Sequence, residues 1–239
     1  MPSYAPMAPV AVPRPVQRIE HIAGLCRNRE VLDLGAMDET AFNAKRGRGK
    51  WLHEEIALVA RRVTGVDNSA LLPPEGLATA PNGRILPGDM TRLDEWIATH
   101  QIRPEVVVAG ELIEHLENPL AFLKLLRATE ALRGCTLVLS TPNATAIHNC
   151  LVGVLSREST HPDHLCILSY KTLSTLFQRA GFRRWSIRPY YSNFVEMRER
   201  NTGARRMLVS AGERLVNGVE WLCPLLSFGY VAELKIEGD

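Results

Sequence analysis

The sequence predicts a doubly wound α/β domain with a mostly parallel sheet and helices on both faces, and three observations carry the prediction. Short, nearly continuous apolar runs such as "REVLDLG" (29–35), "EVVVAG" (105–110) and "TLVLST" (136–141) read as strands buried on both faces. Segments of helical period separate the strands, as parallel crossovers require. Acidic or small residues close most of the runs, where an open parallel sheet binds its ligands.

Taken in order, "MPSYAPMAPVAVPRP" holds five prolines in fifteen residues and lacks an apolar core of signal-peptide length. Residues 1–15 therefore read as a flexible arm ahead of a single domain over 16–239. After the first strand (29–35), "WLHEEIALVARR" (51–62) predicts a helix with Leu52, Ile56, Val59 and Ala60 on one face. "VTGVD" (63–67) and "RIL" (84–86) follow as strands, then 105–110 and 136–141. The intervening "NPLAFLKLLRATEALRG" predicts a helix capped by Asn118, opened by Pro119 and ended by Gly134. "SYKTLSTLFQRAGF" predicts another, from Ser169 as cap to Gly181 as terminator. "RRWSIRPYY" and "GYVAELKIE" complete a seven-stranded sheet. Two stretches, about 144–168 and 190–225, interrupt the pattern and predict a small helical cap over an acceptor, or an oligomer contact.

Composition bounds the function. A chain of 239 residues, 46% hydrophobic and 23% charged, is long enough for one sizeable core. A net charge of +2 gives no global footprint for nucleic acid, so none is expected as a partner. Cys26, Cys135, Cys150, Cys166 and Cys223 form no CxxC pair, which favours reduced thiols and a cytoplasmic setting. The longest apolar stretch, near Leu215 to Tyr230, is broken by Glu220, Pro224 and Gly229, so no membrane span is expected.

The residues just after the strands are Asp33-Leu34-Gly35-Ala36, Asp67-Asn68, Gly88-Asp89-Met90, Gly110-Glu111 and Thr141-Pro142-Asn143. A dinucleotide would need a second glycine near its pyrophosphate and would be repelled by these acids; Ala36, Met37 and Asp38 argue against it. A cationic ligand with an adenosine and no phosphate suits the loop, and S-adenosylmethionine is such a ligand.

The segments "VLDLGA", "VTGVDNS", "GDM", "ELIEHLENP" and "TLVLSTPN", in this order over about 29–143, together with "HPDHLCILSYKTLSTLFQRAGF" to about 182, resemble the class I S-adenosylmethionine-dependent methyltransferases. The resemblance implies a Rossmann-like fold and a site in which Asp33, Gly35 and Ala36 underlie the methionine part. It places Asp67, with Asn68 beside it, at the ribose hydroxyls, and Asp89 and Met90 at the adenine. Gly110 and Glu111 lie near the cofactor. Met37-Asp38-Glu39 depart from the family's further glycines, and "NAKRGRGK" lengthens the interval from Asp33 to Asp67 to 34 residues.

If 111–115 turn helically, Glu111, Glu114 and His115 share one face and could hold a divalent metal that polarises a hydroxyl. The stretch resembles that of metal-using ubiquinone-pathway O-methyltransferases and small-RNA terminal methyltransferases, although metal-free relatives carry the same letters. His115, His161 and His164 are the candidates for base or acceptor-positioning residue. The expectation is methyl transfer to a small-molecule acceptor, on oxygen first, with a metal as a secondary reading. Methylation of nucleic acid or protein, or a non-catalytic cofactor-binding scaffold, are the alternatives.

Overall fold

Strand residues alternate between two apolar layers, and this alternation sets the architecture. In the computed structural model, which describes residues 7, 9–37 and 50–237, the chain begins with α1 (Arg18–Leu25), β1 (Glu30–Leu34), α2 (Leu52–Val59) and β2 (Arg62–Asp67). A short antiparallel ribbon, β3 (Leu77–Ala80) and β4 (Gly83–Pro87), leads into α3 (Leu93–His100) and β5 (Val106–Gly110). Next come α4 (Pro119–Ala128), β6 (Thr136–Pro142), α5 (Ile147–Val154) and α6 (Tyr170–Ala180). The end of the chain contributes β7 (Trp185–Tyr190), α7 (Val195–Glu199), α8 (Gly203–Leu222) and β8 (Gly229–Lys235).

The strands form one sheet in the order β3-β4-β2-β1-β5-β6-β8-β7. From β4 to β6 the pairings are parallel; β3, β8 and β7 join antiparallel. Leu32, Leu34, Val107 and Leu137 face the layer made by α3, α4 and α6, while Val31, Val106, Val108 and Val138 face α1 and α2. Both faces are thus covered, as the apolar runs require. Truncating a side chain such as Phe177, fully buried between α6 and the sheet, is expected to cost about 3–5 kcal/mol.

Most predicted elements form, with three differences. The helix opened by Asn118, whose Oδ1 accepts from the Ala121 amide at 2.9 Å, ends at Ala128 rather than near Gly134. Thr129 leaves helical geometry (ψ 111°) and its hydroxyl donates to the Leu125 carbonyl, so a separate 3₁₀ turn covers Glu130–Leu132. The sheet has an eighth strand, β3, an edge strand too short and too exposed to show period-2 alternation. Helix α2 stops at Val59, because Arg62 already pairs with Glu30 in β2. By contrast α6 has both ends as predicted: Ser169 and Thr172 form a reciprocal capping box, and Gly181 closes the helix at φ +91°. The end of the proline-rich segment is docked, with Val16 bridging Tyr190 and Arg14 over the Trp221 ring. No described helix is long and apolar enough to cross a membrane.

Candidate functional site

The order of strands reverses between β1 and β5, and a cleft of about 610 Å³ opens over the strand ends there. Its volume lies within the roughly 300–1,000 Å³ of small-molecule sites. Of the residues singled out in the sequence, Asp33, Gly35, Ala36, Asp67, Asn68, Met90, Gly110, Glu111, His115, His161 and His164 all line it. Asp89 does not. Its carboxylate accepts from the Thr91 amide, a bond that also holds it below the usual carboxylate range, and it sits in a separate recess beside Trp96 and His100.

At the β1–β2 end, backbone geometry explains the residue choice. Gly35 has φ +67°, and a Cβ there would lie 2.9 Å from the Leu112 side chain. The Asp67 carboxylate joins the first loop to the second strand, accepting from the amides of Met37 (2.8 Å) and Ser69 (2.9 Å). Asp33 is paired with His53, Oδ2 to Nδ1 at 2.9 Å, and the other ring nitrogen of His53 meets the Thr79 hydroxyl at 3.0 Å. Both Asp33 and His53 are buried. Trp51 closes the wall by donating its indole N–H to the Ala36 carbonyl. Of the unusual continuation of the first loop, Asp38 and Glu39 lie outside the described residues, as does "NAKRGRGK" except Lys50, which is paired with Glu199.

Glu111 marks the middle of the cleft. It does not begin a helix: its φ is +51°, and the following 3₁₀ turn starts at Ile113, so the single face expected of Glu111, Glu114 and His115 is not formed. Its amide donates to the Ser140 carbonyl, and its carboxylate accepts from the Tyr190 hydroxyl at 3.1 and 3.2 Å. Arg18 lies 3.8 Å away and also donates to the Ser140 hydroxyl. Burial, and then the Glu111 charge, push the Tyr190 phenol far above its ordinary range, so it remains a donor.

Three imidazoles gather at the opposite end. His115 and His164 rings lie 4.6 Å apart, and His161 is 6.1 and 5.5 Å from them. The distant loop is brought there by the backbone: the Glu114 carbonyl accepts from the amides of Leu165 and Cys166. The Glu114 side chain is fully buried, and neither carboxyl oxygen has a hydrogen-bond partner of good geometry among the described residues. Burial first, then the Glu111 charge, hold its carboxyl well above the usual carboxylate range. Burial, reinforced by His115 and His161, lowers the pKa of His164 and disfavours its protonated form. Glu114, His115 and His164 each offer a ligand atom within 4.8 Å of the others, so His164 takes the place in the potential metal set that the sequence suggested for Glu111.

His53, Arg18, Tyr190 and Asp163 are the site residues that sequence reasoning passed over or left unassigned. Arg18 comes from α1, and Tyr190 ends β7, a strand end outside the apolar runs from which the site was read.

The comparisons agree with this geometry. A family profile described as "Methyltransferase domain" matches residues 11–187. Among solved structures, an S-adenosylmethionine-dependent methyltransferase from Archaeoglobus fulgidus superposes with a TM-score of 0.51 at 15% identity, covering 91% of each chain. The methyltransferase domain of a bacterial Hen1, CtHen1-C, gives 0.51 at 17% identity, covering 93% of this chain and 98% of that one. The small RNA methyltransferase HEN1 gives 0.54 at 16% identity, covering 93% of this chain and 25% of that longer one. No curated protein matches the sequence significantly. Because the matched span covers most of the chain and includes β1 through β6, with the ends of β1, β2 and β5 that line the cleft, the chain belongs to the methyltransferase-domain family and is a class I S-adenosylmethionine-dependent methyltransferase.

Proposed function

We propose that the chain transfers a methyl group to a hydroxyl oxygen of a small-molecule acceptor, bound under a cap built from about 144–168 and 190–225. The observation that carries this reading is that one cleft holds the strand-end carboxylates Asp33, Asp67 and Glu111 together with a separate cluster of His115, His161 and His164. Asp33, Gly35, Ala36, Asp67, Asn68, Met90, Gly110 and Glu111 are assigned to the cofactor. The residues fit it: Gly35 turns the chain at φ +67° where the loop would pass beneath the ligand, and the carboxylates suit a cation. When bound, S-adenosylmethionine supplies a methyl group already activated on a sulfonium. The protein's part is then to align the acceptor, exclude water and remove one proton.

His115, His161 and His164 are assigned to the acceptor end, with a neutral imidazole accepting the hydroxyl proton. Because the pKa of His164 is lowered, its lone pair stays available below pH 6.5. Labelled-methyl transfer to a panel of sugar, quinone-like and phenolic acceptors tests the reading. Product is expected from hydroxylated acceptors, with an acid limb below pH 6.5 if His164 is the base. Transfer to protein or RNA alone would contradict it.

A second reading rests on the Glu114, His115 and His164 donor set, in which a buried carboxyl lacks a partner of good geometry among the described residues. A divalent cation held there would polarise the acceptor oxygen and compensate Glu114. Loss of activity on chelation, restored by magnesium or zinc and absent in Glu114→Gln, is the result that favours it.

A further inference from the structure

The outward face of α8 carries a pattern that the cleft does not use. Leu208, Leu215 and Leu222 stand seven residues apart, and Ala204, Ala211 and Gly218 alternate with them at the same spacing. The six form one stripe along the 20-residue helix, as a heptad pattern does. The opposite face packs inward, with Glu220 buried and accepting from the amide and hydroxyl of Ser192. On the stripe the leucines are 71%, 72% and 67% exposed. Gly218 has open space where a Cβ would stand. A glycine inside a helix costs about 1 kcal/mol relative to alanine, and a lone chain gives no reason for it there. Close approach of a second helix does.

We infer that α8 pairs antiparallel with α8 of a second copy, making a two-fold homodimer. A two-fold axis beside residue 213 sets Leu208 opposite the second copy's Gly218, Leu215 opposite Ala211 and Leu222 opposite Ala204. Every leucine then fills the space over a small residue, and each contact occurs twice by symmetry. A parallel pair would instead stack leucine on leucine and gap on gap. Charge agrees with the antiparallel choice. Helix α8 has Arg205 and Arg206 near its N-terminus, no acid in its first turn and no base in its last, the reverse of what its own dipole favours. Antiparallel pairing puts those arginines beside the other helix's C-terminal end; Arg14, which already donates to the carbonyls of Trp221 and Leu222 there, offsets part of this gain by repulsion. A further opposing term is Arg214, which flanks the stripe and approaches its own copy near the axis.

A helix of this length spans about 30 Å. The strip falls short of the roughly 800 Å² per partner of a standard interface, so a dissociation constant on the order of 1–100 μM is expected. Sedimentation of the full chain across this range should show a monomer–dimer equilibrium that tightens as salt screens Arg214. Gly218→Leu sets leucine against leucine and should raise the dissociation constant about 100-fold or more, since the symmetric pair suffers twice. The same change should leave the monomer's melting temperature unchanged or higher, because it removes a helix-interior glycine. With Cys150 and Cys223 changed to serine, Arg214→Cys should cross-link to a dimer under mild oxidation. A wild-type chain that is monomeric throughout, including one that pellets with anionic vesicles instead, overturns the inference. So does a dimer that Gly218→Leu leaves intact or that Arg214→Cys does not link.

Discussion

At the β1–β2 end of the cleft the carboxylates are held: Asp33 by His53, and Asp67 by the amides of Met37 and Ser69. At the other end Glu114 is buried with the Thr141 hydroxyl beside it but no hydrogen bond of good geometry, and His164 has an unpartnered Nδ1, among the described residues. Buried polar groups are usually satisfied. The contrast teaches that the end proposed for the cofactor is held by the fold itself, whereas the end proposed for the acceptor keeps polar capacity that a second molecule would complete. A fold shared across many chemistries shows this division: the common part is rigid, and specificity sits in the insertions.

The comparison can be broken most forcefully at His115. His115→Ala is expected to lower kcat by about 100-fold or more while leaving cofactor affinity within about twofold, because it removes the ring that packs 4.6 Å from His164 at the acceptor end. Equal losses in both would erase the division. Next in size is His53→Leu, which strips the partner from buried Asp33; a cost of about 2–3 kcal/mol, or roughly 5–10 °C in melting temperature, is expected. An unchanged melting temperature would mean that the cofactor end is not preorganised in this way.

These two residues also show what a linear reading can reach. The acids at the strand ends were legible, because an apolar run followed by an acid predicts both the strand and its open end. The capped ends of α6 were legible for the same local reason. The Asp33–His53 pair was not, since it depends on how α2 docks after the long insertion. Nor were Arg18 and Tyr190, which reach Glu111 from α1 and β7. The helical face expected over 111–115 failed because Glu111 adopts φ +51° to bond Ser140, a tertiary demand that overrides local spacing. His164 joined His115 only through the Glu114 carbonyl.

Smaller changes sharpen the boundary of the site. Asp89 sits outside the cleft, so Asp89→Ala should weaken cofactor binding by no more than about threefold, well below the effect at Asp67, when both are measured by titration. The smallest effect is expected at the far ends of the strands. Hydrogen bonds from Arg29 and from the Glu30 amide lower the Glu105 carboxyl to about 2. A depressed acid adds stability above its unfolded value near 4.5, and that contribution is lost as pH falls from there to about 2. Glu105→Gln should therefore lower the melting temperature by no more than about 3 °C at pH 7, and by nothing near pH 2, with the cleft unaffected.

The most direct measurement is calorimetric titration of the folded chain with S-adenosylmethionine and S-adenosylhomocysteine, beside Asp67→Ala. Binding on the order of micromolar, weakened about 10- to 100-fold by the substitution, is the predicted result, since a charge-assisted contact and the tether to Met37 are lost together. No heat from the folded wild-type chain, or equal affinity in Asp67→Ala, would contradict the assignment of the acidic strand ends to the cofactor.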